Sequence, residues 1–123
     1  MKDNSTALLL RIFVSTTDKA DHEALYEHIV FKAKQFGMLG ATVLKGVLGF
    51  GSSSVIHSTK FWELTEKLPV IIEIIDEEEK IMSFYESIRP ALDNMRYGCL
   101  VTTQKVQVLK NKPGRKHVQG SGA

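Results

Sequence analysis

The hydrophobic period of this chain switches between two and about 3.6 residues in a fixed order, and that order restricts the fold more than any other feature. In residues 7–15, Leu8, Leu10, Ile12 and Val14 alternate onto one face of a strand. Leu9 and Phe13 make the second face apolar as well. Residues 16–21 are polar and carry helix-entry signals. Residues 22–36 take helical spacing, with Leu25, Ile29, Ala33 and Phe36 on one stripe. Glu23 and Glu27 early and Lys32 and Lys34 late suit the helix dipole, and Gly37 supplies a C-terminal cap. Residues 41–50 read as a second strand, Val43 and Val47 opposite Leu44 and Leu48, with Gly46 marking a bend or a close backbone approach. Residues 68–75 are an almost continuously apolar third strand that opens on Pro69.

Residues 76–95 form a second helix whose stripe is Ile81, Phe84, Tyr85, Ile88 and Leu92. Asp76 and Glu79 have the spacing of a capping box, and Pro90 predicts an end or kink near Arg89. Residues 99–109 are the last strand, with Leu100, Val106 and Val108 on one face. The order β-α-β-β-α-β predicts an α+β, ferredoxin-like sandwich: a four-stranded antiparallel sheet with two helices on one face. The other face is expected to carry Leu9, Phe13, Leu44, Leu48, Ile71, Ile75 and Val101, an apolar surface that predicts a homo-oligomer. Glu73 falls among isoleucines on that face, and its expected partner is Lys45 or Lys105 on a neighbouring strand.

A chain of 123 residues is one domain, with 43% hydrophobic and 24% charged residues, a globular balance. All 14 acidic side chains and 12 of the 16 basic ones lie in residues 1–109, a body of net charge −2. Residues 110–123 add Lys110, Lys112, Arg115 and Lys116 and end in Gln119-Gly-Ser-Gly-Ala123, so they read as a basic, disordered tail rather than a nucleic-acid arm. No apolar run approaches the ~18 residues of a membrane span, and the first ten residues are too short and weakly charged for a secretory signal. The single Cys99 excludes an intrachain disulfide and fits a reducing compartment, so the expected location is cytoplasmic.

One segment can carry chemistry. Gly46-Val-Leu-Gly49-Phe50-Gly51-Ser52-Ser53-Ser54 follows a strand, and its glycine N–H groups and serine hydroxyls can line an anion pocket. It lacks the Gly-Lys-Ser/Thr of a P-loop and the following helix of a dinucleotide fold, and on composition alone a simple excursion between strands is the favoured reading. His57 can contact phosphate, ligate a metal or serve structure only. His22-Glu23 and His28 miss the His-Glu-x-x-His spacing, which excludes a zinc protease of that type. The acidic run 76–79 is explained by capping, and Cys99 reads as an inert small hydrophobe. No nucleophile or acid–base set is placed together by the sequence, so an enzyme is not expected.

Gly49-Phe-Gly51, Ile56-His57, Leu68-Pro-Val-Ile-Ile-Glu73, Asp76 with Glu79-Lys-Ile81, and Gly98-x-Leu-Val-Thr102 together resemble the uncharacterised PII-like proteins, domain of unknown function 190. Leu25-Tyr26-Glu27 and Gly40-Ala-Thr-Val-Leu44 extend the likeness across nearly all of residues 8–109. The resemblance implies a PII-like homotrimer that regulates a partner protein and binds a small anionic ligand, an adenine nucleotide, in clefts between subunits, which here lie between residues 49–54 and the turn 96–101. Its implied contacts are Gly49, Phe50, Gly51, Ser52, Ser53, Ser54, His57, Arg96 and Gly98, with no resident cofactor and no metal. The alternatives are a ligand-free interaction partner of a membrane transporter, and a metal-binding trimer like the CutA proteins.

Overall fold

The computed structural model describes residues 1–51 and 67–114. Its elements are β1 (Ser5–Ser15), β2 (Lys19–Ala20), β3 (Glu23–Ala24), α1 (Leu25–Phe36), β4 (Thr42–Lys45), β5 (Pro69–Asp76), α2 (Glu78–Asp93) and β6 (Leu100–Val108). The four longer strands make one antiparallel sheet in the order β4-β5-β1-β6, so β1 lies between β5 and β6. This is the ferredoxin-like α+β arrangement expected from the order of periods.

The register separates the two faces of the sheet. Leu8, Leu10, Ile12 and Val14 pair with Asp76, Ile74, Ile72 and Val70, and all eight side chains point toward the helices. Those apolar chains form the core with Leu25, Ile29 and Ala33 of α1 and Ile81, Phe84, Ile88 and Leu92 of α2. Phe36, at the end of the α1 stripe, is partly exposed but meets Phe84 edge-on, ring centroids 5.6 Å apart. Gly37 closes α1 in the left-handed region at φ 86°, its N–H bonded to the Lys34 carbonyl.

Several boundaries differ from the sequence reading. Helix α1 begins at Leu25 rather than residue 22, because β2 and β3 fold back as a small ribbon with Asp21 at φ 56° in its turn. Aspartate tolerates that left-handed conformation, and the Leu25 N–H then bonds to the Asp18 carbonyl at 2.8 Å. Strand β4 ends at Lys45 rather than residue 50. The next pair would set Gly46 against Pro69: the Gly46 N–H reaches the Pro69 carbonyl at 2.8 Å, but Pro69 has no N–H to return. Val47 and Leu48 therefore leave the sheet and are exposed.

Helix α2 starts after Glu77, without a capping box. Asp76 is instead the buried last residue of β5, its carboxylate accepting the N–H groups of Glu77 at 2.8 Å and Leu39 at 3.1 Å. The helix also runs past Pro90 to Asp93. Ile88 and Leu92 are buried on either side of Pro90, and this packing outweighs the one backbone hydrogen bond that proline removes. Beyond β6, Asn111 is tied to the start of the chain, its backbone N–H to the Asp3 carboxylate and its amide to the Met1 carbonyl.

Gly46 is required by space. A Cβ there would sit 2.7 Å from Pro69 Cγ, and a proline ring cannot swing aside. Gly46→Ala is expected to destabilise the protein by about 1–3 kcal/mol, the usual cost of overpacking. A chemical denaturation midpoint equal to wild type would contradict it.

Candidate functional site

The end of the sheet where β1 finishes and β5 begins opens into a cavity of about 350 Å³. Phe13, Val14 and Ser15 of β1, Pro69 and Val70 of β5, and Leu100 of β6 form its sheet side. Gly49, Phe50 and Gly51 enter from the segment after β4, and Tyr97, Gly98 and Cys99 from the turn before β6. Asp18 and Lys67 complete the described lining. Topology brings these parts together: β1 and β5 are neighbours, and each is bonded to the strand from which a lining loop departs.

Four of the implied contacts, Gly49, Phe50, Gly51 and Gly98, thus line one cavity. Arg96 is beside it, its guanidinium carbon 5.3 Å from the Tyr97 ring centroid. Ser52, Ser53, Ser54 and His57 lie outside the described residues. The backbone N–H groups of Gly49, Phe50 and Gly51 donate to none of the described residues. Lys67 Nζ lies 4.4 Å from the Tyr97 ring centroid, so two cations flank that ring. Among the described residues no group of three His, Cys, Asp or Glu side chains is placed to hold a metal ion.

The Cys99 residue is exposed, but its thiol borders the cavity. Desolvation there pushes the thiol pKa above its ordinary value, and the Asp18 and Asp93 carboxylates add to the shift. All three effects disfavour the thiolate, so alkylation at pH 7–8 is expected to be slower than for an ordinary surface cysteine. The pH–rate profile with iodoacetamide should have its midpoint above that of a free thiol. A midpoint below it would reverse the assignment.

The outer face of the sheet carries a second feature. Glu73 pairs with Arg11, directly opposite on β1, at 2.8 Å, not with Lys45 or Lys105. Register places Arg11 nearest, and Arg11 also donates to Gln104 of β6 at 3.2 Å. A polar ladder therefore crosses β5, β1 and β6 and satisfies its own charges. Around it Leu44, Ile75 and Leu100 are 47%, 40% and 58% exposed. Two residues expected in this patch are not exposed there. Leu9 is already buried, and Val101 pairs with Ile12 and faces the core.

The profile of the family DUF190, described as an uncharacterized ACR, matches residues 7–108. The chain belongs to the DUF190 family. A UPF0166 protein of Aquifex aeolicus (strain VF5) is 38% identical over 101 residues, covering 82% of this chain and 91% of the relative. A UPF0166 protein of Methanocaldococcus jannaschii is 43% identical over 75 residues, covering 61% and 68%. Among solved structures, a candidate PII-like signaling protein from Thermus thermophilus has a TM-score of 0.61 at 19% identity, covering 87% of this chain and 93% of that one. CPII, a nitrogen regulatory PII-like protein from Thiomonas intermedia, was solved with ADP, AMP and bicarbonate. It has a TM-score of 0.58 at 17% identity, covering 89% and 97%. At these identities the likeness establishes the fold, which is PII-like.

Sequence reasoning missed Phe13, Asp18 and Lys67 in the DUF190 cavity, whereas Tyr97 falls in the turn that the PII-like resemblance placed at the cleft. One signal was available for Asp18. Ser15-Thr-Thr-Asp18 has turn spacing, and the Asp18 carboxylate does accept the Ser15 N–H at 2.7 Å. Phe13 and Lys67 are brought in by tertiary structure, from a strand and from the residues before β5.

Proposed function

We propose that this DUF190 protein is a PII-like regulator, not an enzyme, that binds a small anionic ligand at clefts between the subunits of a cytoplasmic homotrimer. In its most specific form the ligand is an adenine nucleotide. The cavity carries this reading: Gly49, Phe50 and Gly51, whose backbone N–H groups donate to none of the described residues, line it together with Lys67, and Arg96 stands beside the lining residue Tyr97. Donors and cations suit phosphate, and the rings of Phe13, Phe50 and Tyr97 suit a base. A volume of about 350 Å³ lies in the range of small-molecule sites. The adenine nucleotides found with CPII, a protein of the same fold, support the choice of ligand.

In this reading the outer sheet face is buried between subunits, with the Glu73–Arg11–Gln104 ladder needing no partner from outside. Ser52, Ser53, Ser54 and His57 follow directly on Gly51 and belong to the same ligand-binding segment. Residues 1–109 act as the ligand-binding domain and residues 110–123 as a basic tail. Occupancy is passed to a partner protein, a membrane transporter being the candidate. Calorimetry of the purified protein against AMP, ADP, ATP and cyclic nucleotides tests the ligand. Saturable heat with at least one of them is expected, and no heat and no thermal shift with any of them would remove the nucleotide.

A further inference from the structure

Asp18 is the one carboxylate lining the cavity among the described residues, and it is 6% exposed. One oxygen, Oδ2, accepts the Ser15 N–H at 2.7 Å and closes the turn after β1. The other, Oδ1, accepts no hydrogen bond from the described residues. A buried carboxylate oxygen without a donor is costly, and the cost falls when a ligand supplies one. In a pocket built for an anion a bare carboxylate is otherwise a repulsive element.

We propose that Asp18 is a specificity-determining residue, whose free oxygen accepts a hydrogen bond from a neutral O–H or N–H group of the bound ligand. The proposal rests on the anionic-ligand reading above and adds a second polar contact to it. The cavity becomes two-ended, with N–H donors and Lys67 for the anion and Asp18 for a hydroxyl or amino group. An ammonium ion is a poorer fit, because it presents three donors and Asp18 is the only lining carboxylate among the described residues. The ligand class is therefore a phosphate ester that also carries hydroxyl or amino donors, as a nucleotide does. Inorganic polyphosphate has the first feature without the second.

Calorimetry of the full chain decides it, comparing ATP, its 2′-deoxy and 3′-deoxy forms, inosine triphosphate and inorganic triphosphate on wild type and Asp18→Asn. Asparagine keeps a carbonyl oxygen for the Ser15 N–H and removes the charge on the second atom. One of the three donor-altered nucleotides is expected to bind wild type about tenfold or more weakly than ATP, the scale of a hydrogen bond to a charged group. The deoxy forms report a sugar hydroxyl, and inosine triphosphate reports the base amino group. In Asp18→Asn that difference should fall to near one, while inorganic triphosphate binds no more weakly than to wild type. Should Asp18→Asn not fold, the wild-type series still decides, because equal affinity for all four nucleotides overturns the proposal. ATP binding with unchanged discrimination in Asp18→Asn overturns it and leaves the anionic-ligand reading standing. No binding of any phosphate to wild type overturns both.

Discussion

Replacing Ile71 by aspartate is expected to reduce the proposed trimer to single protomers at micromolar concentration. Ile71 lies near the middle of the outer sheet face, in register with Leu44 on β4 and Phe13 on β1. Its side chain points away from the helices, so in the free protomer an aspartate there stays hydrated and the fold is unaffected. Between subunits the same carboxylate would be buried without a cation, since Arg11 is already held by Glu73 and Gln104. An unpaired buried charge costs several kcal/mol at each interface, enough to dissociate a modest assembly. Light scattering coupled to size exclusion should give a trimer mass for wild type and for Ile71→Val, and a protomer mass for Ile71→Asp. The helical circular dichroism should be the same in all three. An Ile71→Asp protein that stays trimeric would show that another surface joins the subunits, and a monomeric wild type would remove the trimer.

Phe84→Ala is expected to be the most damaging core substitution. Phe84 is fully buried in the middle of α2, where it packs between the sheet and α1 and receives the edge of Phe36. Truncating a buried phenylalanine costs about 3–5 kcal/mol, and the aromatic pair adds roughly 0.5–1.5 kcal/mol. Against a total stability of about 5–15 kcal/mol for a domain, that can remove most of the folded population. Urea unfolding at one fixed protein concentration, which holds any contribution from assembly constant, should show the loss. Phe84→Leu should recover most of it. A loss under about 1 kcal/mol would mean that the site collapses around the gap.

Legibility in the sequence depended on whether a residue's role is local. The stripes Leu25, Ile29, Ala33 and Ile81, Phe84, Ile88, Leu92 were readable because periodicity alone puts them on one helix face, and all are buried. Gly37 was readable because a helix ends on a left-handed residue and glycine adopts that conformation freely. Asp76 misled. Its distance from Glu79 matched a capping box, but the residue belongs to β5 and is held by Leu39 from across the fold. Pro90 marked an end or a kink near Arg89, and the helix does not end there. Its local cost is real, and burial of its neighbours overrides it.

In the cavity, Gly49, Phe50, Gly51, Gly98 and the turn holding Tyr97 could be singled out by composition and family likeness, whereas Lys67 could not. Its place comes from a cation resting on a ring thirty positions away in the chain, a contact without sequence spacing to announce it. The partner of Glu73 was likewise a matter of register: alternation put it on the outer face, and only the pairing of β1 with β5 chose Arg11 over the lysines.

The order of hydrophobic periods therefore determined the α+β architecture and most of the core, because solvent exclusion acts on each element through its own repeat. Tertiary structure alone decided where β4 stops, which charge meets Glu73, and that the end of β1 and the turn before β6 line one cavity with Asp18. Those outcomes depend on strand register and on which loops converge at one end of the sheet, and neither is encoded in the spacing of neighbours along the chain.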